Sequence, residues 1–248
     1  MNKLLKPAYL PWIATAAGVV GLLLRIWLFA TDVDSTGYLA QGHLGLVLLW
    51  VLTAAVAIVL LLGTRALTQA SKYSFNFPPS PIGGIGCAIG GFSFAITSVM
   101  EMTSSPDTIT AFASLLGLAS AAALMLIGYG RWYGKRSNLL LHAVISVFLM
   151  LRLVSQYRHW SSSPQMTDYC FPLLATVFLM LASYHRAAFA ADMGKRSSYV
   201  FFHLTAVYFC ILSLQGTNHI VFYLGAGIWM LTDLCSLAVM HKKKREAS

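Results

Sequence analysis

Eight apolar stretches follow one another along almost the whole chain. They run from Ala8 to Ala30, His43 to Gly63, Ile82 to Met100, Thr108 to Tyr129, Asn138 to Tyr157, Tyr169 to Ala190, Ser198 to Gln215 and Thr217 to Met240. Each is about 18–24 residues long, and an α-helix needs roughly 20 apolar residues to cross about 30 Å of hydrocarbon. The sequence therefore predicts an all-α, polytopic integral membrane bundle of about eight transmembrane helices, forming a single transmembrane domain over residues 1–248.

The composition agrees with a membrane protein. Only 10% of the residues are charged and 58% are hydrophobic, whereas soluble domains carry about 25% charged residues. A formal net charge of +9 would suggest a nucleic-acid partner in a soluble protein. Here the charge reflects membrane topology, so we expect the chain to contact the lipid bilayer and to bind no nucleic acid. The four cysteines are scattered and no metal-binding spacing occurs, so we expect no metal and no cofactor.

The basic residues are distributed unevenly between the two sides of the predicted membrane. All of them except Arg25, Arg152 and Arg158 fall on the side that holds both termini, and the opposite connections are mainly acidic. Cytoplasmic loops of membrane proteins carry the excess of lysine and arginine. The sequence therefore predicts cytoplasmic N- and C-termini, and we expect a bacterial cytoplasmic membrane as the location.

The second half of the chain contains a doubled pattern that predicts a parallel internal repeat. The string L-M-L-x-x-Y-x-R ends at Arg131 and recurs ending at Arg186. G-K-R-S then follows in both copies, with His142 and His203 in the spans that come next. Both copies cross the predicted membrane in the same direction, which indicates an axis along the membrane normal. The alternative is that apolar spans with basic inner loops resemble one another by composition.

Small residues recur at four-residue spacing on the third and fourth spans. They are Gly86 and Gly90 on the third, and Ala113, Gly117 and Ala121 on the fourth. Small faces let helix backbones approach closely inside a membrane. We expect these residues to pack the two spans into a tight hairpin; the alternatives are a substrate-lined surface or a dimer face.

Three charged residues form a predicted outer group: Arg25, Arg152 and Glu101. Both arginines lie only about 7–8 Å inside the predicted outer boundary, at 1.5 Å per residue. One interpretation is that they extend to the headgroups. The other is a ligand-binding pocket in which both arginines face one outward-open cavity, with Glu101 at its rim, and hold a carboxylate or phosphate.

An inner group is predicted from His142, His203 and Asp233, with Arg131 and Arg186 at its rim. Ionisable residues inside a membrane are costly and need partners. Asp233 should therefore face the bundle interior, and the two histidines are its nearest candidates by depth. The alternatives are a structural hydrogen bond between helices and a proton relay.

No catalytic motif is present, so we do not expect an enzyme. The favoured function is a membrane-embedded small-molecule carrier or substrate-binding subunit for an anionic small molecule. The main alternative is a non-catalytic interaction or regulatory subunit of a membrane complex, or a homo-oligomer. An intramembrane lipid-modifying enzyme is the weakest of the three.

Overall fold

The computed structural model describes residues 9–31, 44–65, 67, 70–104, 107–161, 169–215 and 219–238, and these residues contain helices and no strands. The helices are α1 (Leu10–Thr31), α2 (Leu44–Arg65), α3 (Tyr73–Asn76), α4 (Pro81–Ser104), α5 (Thr108–Trp132), α6 (Leu139–Trp160), α7 (Cys170–Ala190), α8 (Arg196–Leu212) and α9 (Ile220–Cys235). The prediction of an all-α membrane bundle is confirmed. The short α3 is an addition, since its segment is predicted as a loop.

Six of these helices are long and apolar enough to cross a membrane: α1, α2, α4, α5, α6 and α7. The last two, α8 and α9, have 17 and 16 residues. At 1.5 Å per residue they are roughly 24–26 Å long, a few ångströms less than the hydrocarbon core. Eight apolar helices thus occupy the predicted positions, and eight full crossings stay a prediction.

Helices α8 and α9 lie in the interior of the bundle. Helix α8 contacts α1, α2, α7 and α9, and α9 contacts α4 as well. Aromatic rings fill the interface of α9 with α4: Phe94 stacks on Phe222 with 4.9 Å between ring centroids, and Trp229 meets Phe94 edge-on at 6.0 Å. Large apolar side chains of α1 and α2 are instead exposed, as expected of a lipid-facing surface.

Helices α4 and α5 form the close hairpin that the small residues predict, but other glycines make the contact. A Cβ atom on Gly84 would lie 3.0 Å from the carbonyl oxygen of Gly128, and one on Gly91 would lie 3.0 Å from that of Ala121. Both distances are to backbone atoms, so the two helices touch main chain to main chain. Of the predicted residues, Ala121 lies at this contact.

Gly86 and Gly90 face α9, so the sequence assigned this pair to the wrong neighbour. A Cβ atom on Gly86 would overlap the Thr232 side chain, and one on Gly90 would lie 2.9 Å from Cβ of Trp229. Residues one or two positions apart on a helix point to different sides. Gly84 and Gly91 therefore face α5 while Gly86 and Gly90 face α9.

The other predicted small residues of α5 have different surroundings. A Cβ atom on Gly117 would meet the side chains of Ser98 on α4 and Phe148 on α6, so this glycine lies where α4, α5 and α6 meet. Ala113 lines a cavity at the end of the bundle where α4 ends and α5 begins.

The segment before α4 covers one end of the bundle; we call it the inner loop (residues 70–80). The Phe77 ring packs edge-on against Phe189 at 5.4 Å and Tyr199 at 5.5 Å. Asn76 is buried, accepts a hydrogen bond from Arg196 at 3.2 Å, and its carbonyl oxygen accepts from the N–H of Ala238 at 3.0 Å. These contacts hold the inner loop against α7, α8 and the end of α9. We call this the inner end of the bundle, and the opposite end the outer end, following the predicted topology.

Candidate functional site

A cavity of about 550 Å³ opens at the outer end, and we call it the outer cavity. Small-molecule sites typically enclose roughly 300–1,000 Å³. It is lined mainly by polar residues of α4, α5, α6 and the start of α9: Glu101, Ser104, Asp107, Thr110, Ala113, Arg152, Ser155, Gln156, Arg158, His159, Trp160 and His219. Two residues of the predicted outer group, Arg152 and Glu101, are among them.

Arg152 of α6 and Glu101 of α4 form an ion pair in the outer cavity. The Arg152 Nη1 atom lies 2.6 Å from Oε1 and 2.9 Å from Oε2 of Glu101. The arginine side chain is 2% exposed and the glutamate 14%. The guanidinium also lies 3.9 Å from the ring centroid of Phe222, within the range of a cation–π interaction. The ion pair therefore joins α4 and α6 at the wall of the cavity, and Phe222 of α9 packs against it.

Other lining residues add balanced charge. The Nδ1 atom of His219 lies 3.3 Å from Oε1 of Glu101. Near the mouth, Arg158 and Asp107 face each other at 3.8 Å, and both are about half exposed. The two arginines are thus matched by two carboxylates, and the formal charge of the outer cavity is close to zero.

A buried hydrogen-bond network continues below the outer cavity. The Gln156 side chain donates to the Tyr223 hydroxyl at 3.1 Å and accepts from Thr176 at 3.0 Å. Tyr223 in turn donates to the carbonyl oxygen of Pro172 at 3.2 Å. These residues were not predicted from the sequence. Neutral polar residues inside apolar spans were the signal that could have found them, because buried polar groups need partners.

Arg25 lies elsewhere, so the prediction that Arg25 and Arg152 share a cavity is wrong. The Arg25 Nη1 atom donates to the carbonyl oxygen of Leu212 at 2.8 Å. Its guanidinium lies 5.6 Å from the ring centroid of Phe29 and 5.1 Å from that of Phe171. It therefore satisfies the last turn of α8, where carbonyl groups lack helical partners and attract cations.

At the inner end, Asp233 of α9 pairs with Arg186 of α7, and both side chains are fully buried. Asp233 therefore faces the interior, but its partner is an arginine and not either predicted histidine. His142 instead shares a hydrogen bond of 2.8 Å with the Ser137 hydroxyl. His203 Nδ1 lies 2.9 Å from the carbonyl oxygen of Tyr199, one turn before it on α8.

Arg131, predicted at the rim, is also buried beside this pair. Its side chain is 1% exposed and contacts the hydroxyl of Ser236, just after α9, and, at 3.3 Å, the carbonyl oxygen of Pro78. Arg131 and Arg186 lie 4.9 and 5.6 Å from the centroid of one ring, that of Phe77. The two arginines that end the doubled motif are thus brought together, although the repeat itself stays a prediction.

A second cavity, of about 320 Å³, lies at the inner end beside the Phe77 ring, and we call it the inner cavity. Its lining residues come from the inner loop and two neighbouring turns: Lys72, Tyr73, Ser74, Phe77, Pro78, Pro79, Gly134, Arg136 and Asp192. Asp192 accepts a hydrogen bond from the N–H of Tyr73 at 2.8 Å and pairs with Arg136 at 2.9 Å. The Tyr73 hydrogen bond, and next the Arg136 charge, lower the pKa of Asp192. Asp192 is also the one described non-glycine residue with positive φ, at 57°.

Within the described ranges, no group of three or more histidine, cysteine, aspartate or glutamate side chains is arranged to hold a metal ion. Comparison of the chain with protein-family models, with curated proteins and with solved structures finds no match.

Proposed function

We propose that this membrane protein is a carrier or substrate-binding subunit that takes a small polar solute in the outer cavity. The observation that supports this most directly is a buried ion pair, Arg152 and Glu101, facing a cavity of about 550 Å³. Charged side chains at depth in a membrane bundle are costly and commonly mark solute pathways. Their position in a ligand-sized cavity favours binding over a purely structural role.

The charge of the outer cavity favours a zwitterionic solute over the simple anion predicted from the sequence. Glu101 neutralises Arg152, and Asp107 lies opposite Arg158. An anion would have to displace a carboxylate from an arginine, whereas a zwitterion offers one charge to each member of the pair. We therefore assign the carboxylate of the solute to Arg152 and its cationic group to Glu101.

The role of an interaction or regulatory subunit has less support. The glycine pair that could have formed a dimer face, Gly86 and Gly90, packs inside the bundle against α9. An intramembrane lipid-modifying enzyme has no specific observation in its favour.

Solute charge provides the first test. The full-length chain, purified in a neutral detergent, is titrated with alanine, N-acetylalanine and alanine methyl ester, which share a skeleton but are a zwitterion, an anion and a cation. We expect thermal stabilisation by alanine and little by the other two. Stabilisation by none of the three, or equal stabilisation by all, would contradict an amino-acid-like solute in the outer cavity.

Paired variants then assign the two charges. Glu101→Gln should shift the preference towards N-acetylalanine, and Arg152→Gln should shift it towards the methyl ester, each by about tenfold, the change in affinity expected when one charged hydrogen bond is lost. Arg65→Gln removes an exposed arginine at the other end of the bundle and should leave the preference unchanged. Opposite shifts in two variants cannot arise from general destabilisation.

Orientation is a separate prediction. We propose that both termini are cytoplasmic, because the basic residues concentrate on their side. A C-terminal green fluorescent protein fusion in bacteria should fluoresce, and a C-terminal alkaline phosphatase fusion should be inactive. The reverse result would overturn the topology and exchange the outer and inner ends.

A further inference from the structure

We propose that the inner end contains a second binding site, for the phosphoryl group of a small solute or of a lipid headgroup. It consists of the inner cavity and of the buried arginines behind it. This inference does not depend on the proposed function of the outer cavity, since it rests on other residues at the opposite end of the bundle.

Positive charge exceeds negative charge in the buried part of the site. Arg131 and Arg186 are 1% and 0% exposed, and both approach the Phe77 ring. Asp233 pairs with Arg186, whereas the contacts of Arg131 with the described residues are a hydroxyl, a carbonyl oxygen and an aromatic ring, all neutral. A buried guanidinium without a counter-charge is strongly unfavourable. An anion drawn into this region would supply the missing charge.

Polar atoms near the arginines also lack partners. The Nε atom of Arg131 and the hydroxyl of Tyr73 are buried with no hydrogen-bond partner among the described residues. The second ring nitrogens, Nδ1 of His142 and Nε2 of His203, also have no partner among the described residues, and both rings lie within electrostatic range of Arg186. Such buried orphan atoms are rare in native proteins and indicate a missing polar occupant. Arg131 Nε is a donor and the Tyr73 hydroxyl can act as one, as an oxyanion requires.

The inner cavity lies next to this region. Tyr73 and Phe77 line the cavity, and the Phe77 ring separates it from the two guanidinium groups. Arg136 and Lys72 lie at the cavity wall. An anion that enters from the inner side therefore meets Arg136 and Lys72 first. The charges of Arg131 and Arg186 lie behind the Phe77 ring.

The contacts of Asp192 show that the cavity wall already binds an oxyanion. One carboxylate oxygen of Asp192 accepts from the N–H of Tyr73 at 2.8 Å, and the other lies 2.9 Å from Arg136. A phosphoryl group offers the same oxygen acceptors with more negative charge, and guanidinium groups match its geometry well. In this proposal the bound phosphoryl group takes the place of the Asp192 carboxylate beside Arg136 and Tyr73.

The test uses the full-length chain in a neutral detergent, titrated with inorganic phosphate against chloride at matched ionic strength. In a parallel arm the chain is placed in nanodiscs of phosphatidylcholine with or without phosphatidylglycerol. We expect phosphate, or phosphatidylglycerol, to raise the melting temperature specifically. Stabilisation by phosphate identifies a soluble ligand, and stabilisation by phosphatidylglycerol alone identifies a lipid headgroup. A response to neither would overturn the proposal.

Two neighbouring residues provide a matched control. Arg136 lines the inner cavity, whereas the adjacent exposed Lys135 does not. Arg136→Gln should weaken binding of the effective probe about tenfold, and Lys135→Gln should change it less than about twofold. Asp192→Asn removes the competing carboxylate charge and should strengthen binding, a gain that misfolding cannot produce. Equal losses in the two Gln variants would show non-specific attraction to a basic surface and contradict a built site.

Discussion

Replacement of Asp233 by Asn should lower the free energy of unfolding by about 3–5 kcal/mol, the cost of leaving one partner of a buried ion pair uncompensated. Both Asp233 and Arg186 are fully buried. The variant keeps the volume of the side chain but leaves Arg186 as an unpaired cation beside Arg131. Equilibrium unfolding of the purified chain in mixed micelles would measure the loss, and we expect it to exceed that of any single charge removal at the surface.

A double variant separates pairing from packing. Replacing both partners with apolar residues, Asp233→Leu with Arg186→Met, should recover most of the lost stability, because a buried ion pair seldom outperforms well-packed apolar groups. Asp107→Asn is the control: its partner Arg158 lies 3.8 Å away and both are about half exposed, so we expect a change below about 1 kcal/mol. If Asp233→Asn were as mild as the control, the pair would not be the main contact at the inner end.

The helices were predictable from the sequence because hydropathy determines where a chain can enter lipid. The first helix was predicted over Ala8 to Ala30 and runs over Leu10–Thr31, and the seventh span was predicted over Ser198 to Gln215 and runs over Arg196–Leu212. The largest error is at the last span, where the helix ends at Cys235 and not at Met240. Apolar residues continue after Cys235, so hydropathy alone could not locate that end.

The sequence predicted which polar residues lie inside the bundle but not which of them form pairs. Counting residues along a span gives the depth of a side chain, and depth placed Asp233 near His142 and His203. Partnership also needs the direction in which each side chain points around its helix, which follows from packing between helices. Arg186 was assigned to the rim by depth, but its long side chain extends inward and reaches Asp233.

The outer group shows the same limit. Arg25 and Arg152 have similar depth, yet one interacts with the last turn of α8 and the other with Glu101. The sequence identified both residues of the ion pair but placed Glu101 at the rim of a site with two arginines. The actual pairing changes the expected ligand from an anion to a zwitterion.

Gly86→Ala should lower the free energy of unfolding by about 1–3 kcal/mol, the usual cost of overfilling a packed interface. The added Cβ atom would overlap the Thr232 side chain and lie 2.6 Å from its Cβ atom. That Cβ atom is fixed to the backbone, so α4 and α9 would have to separate. The separation would also loosen the neighbouring contact of Gly90 with Trp229.

Second-site variants distinguish this close approach from a general intolerance of alanine. Thr232→Ala keeps the Cβ atom that lies 2.6 Å away, so it should relieve Gly86→Ala only slightly, whereas Thr232→Gly removes the atom and should restore more of the stability. Gly227→Ala is the matched control on α9, since its new Cβ atom would meet nothing closer than 3.3 Å. Alanine is also the better helix former, by about 1 kcal/mol in water, so this control should lose much less stability than Gly86→Ala. Equal losses at Gly86 and Gly227, with no rescue by Thr232→Gly, would mean that α4 and α9 do not pack through this glycine.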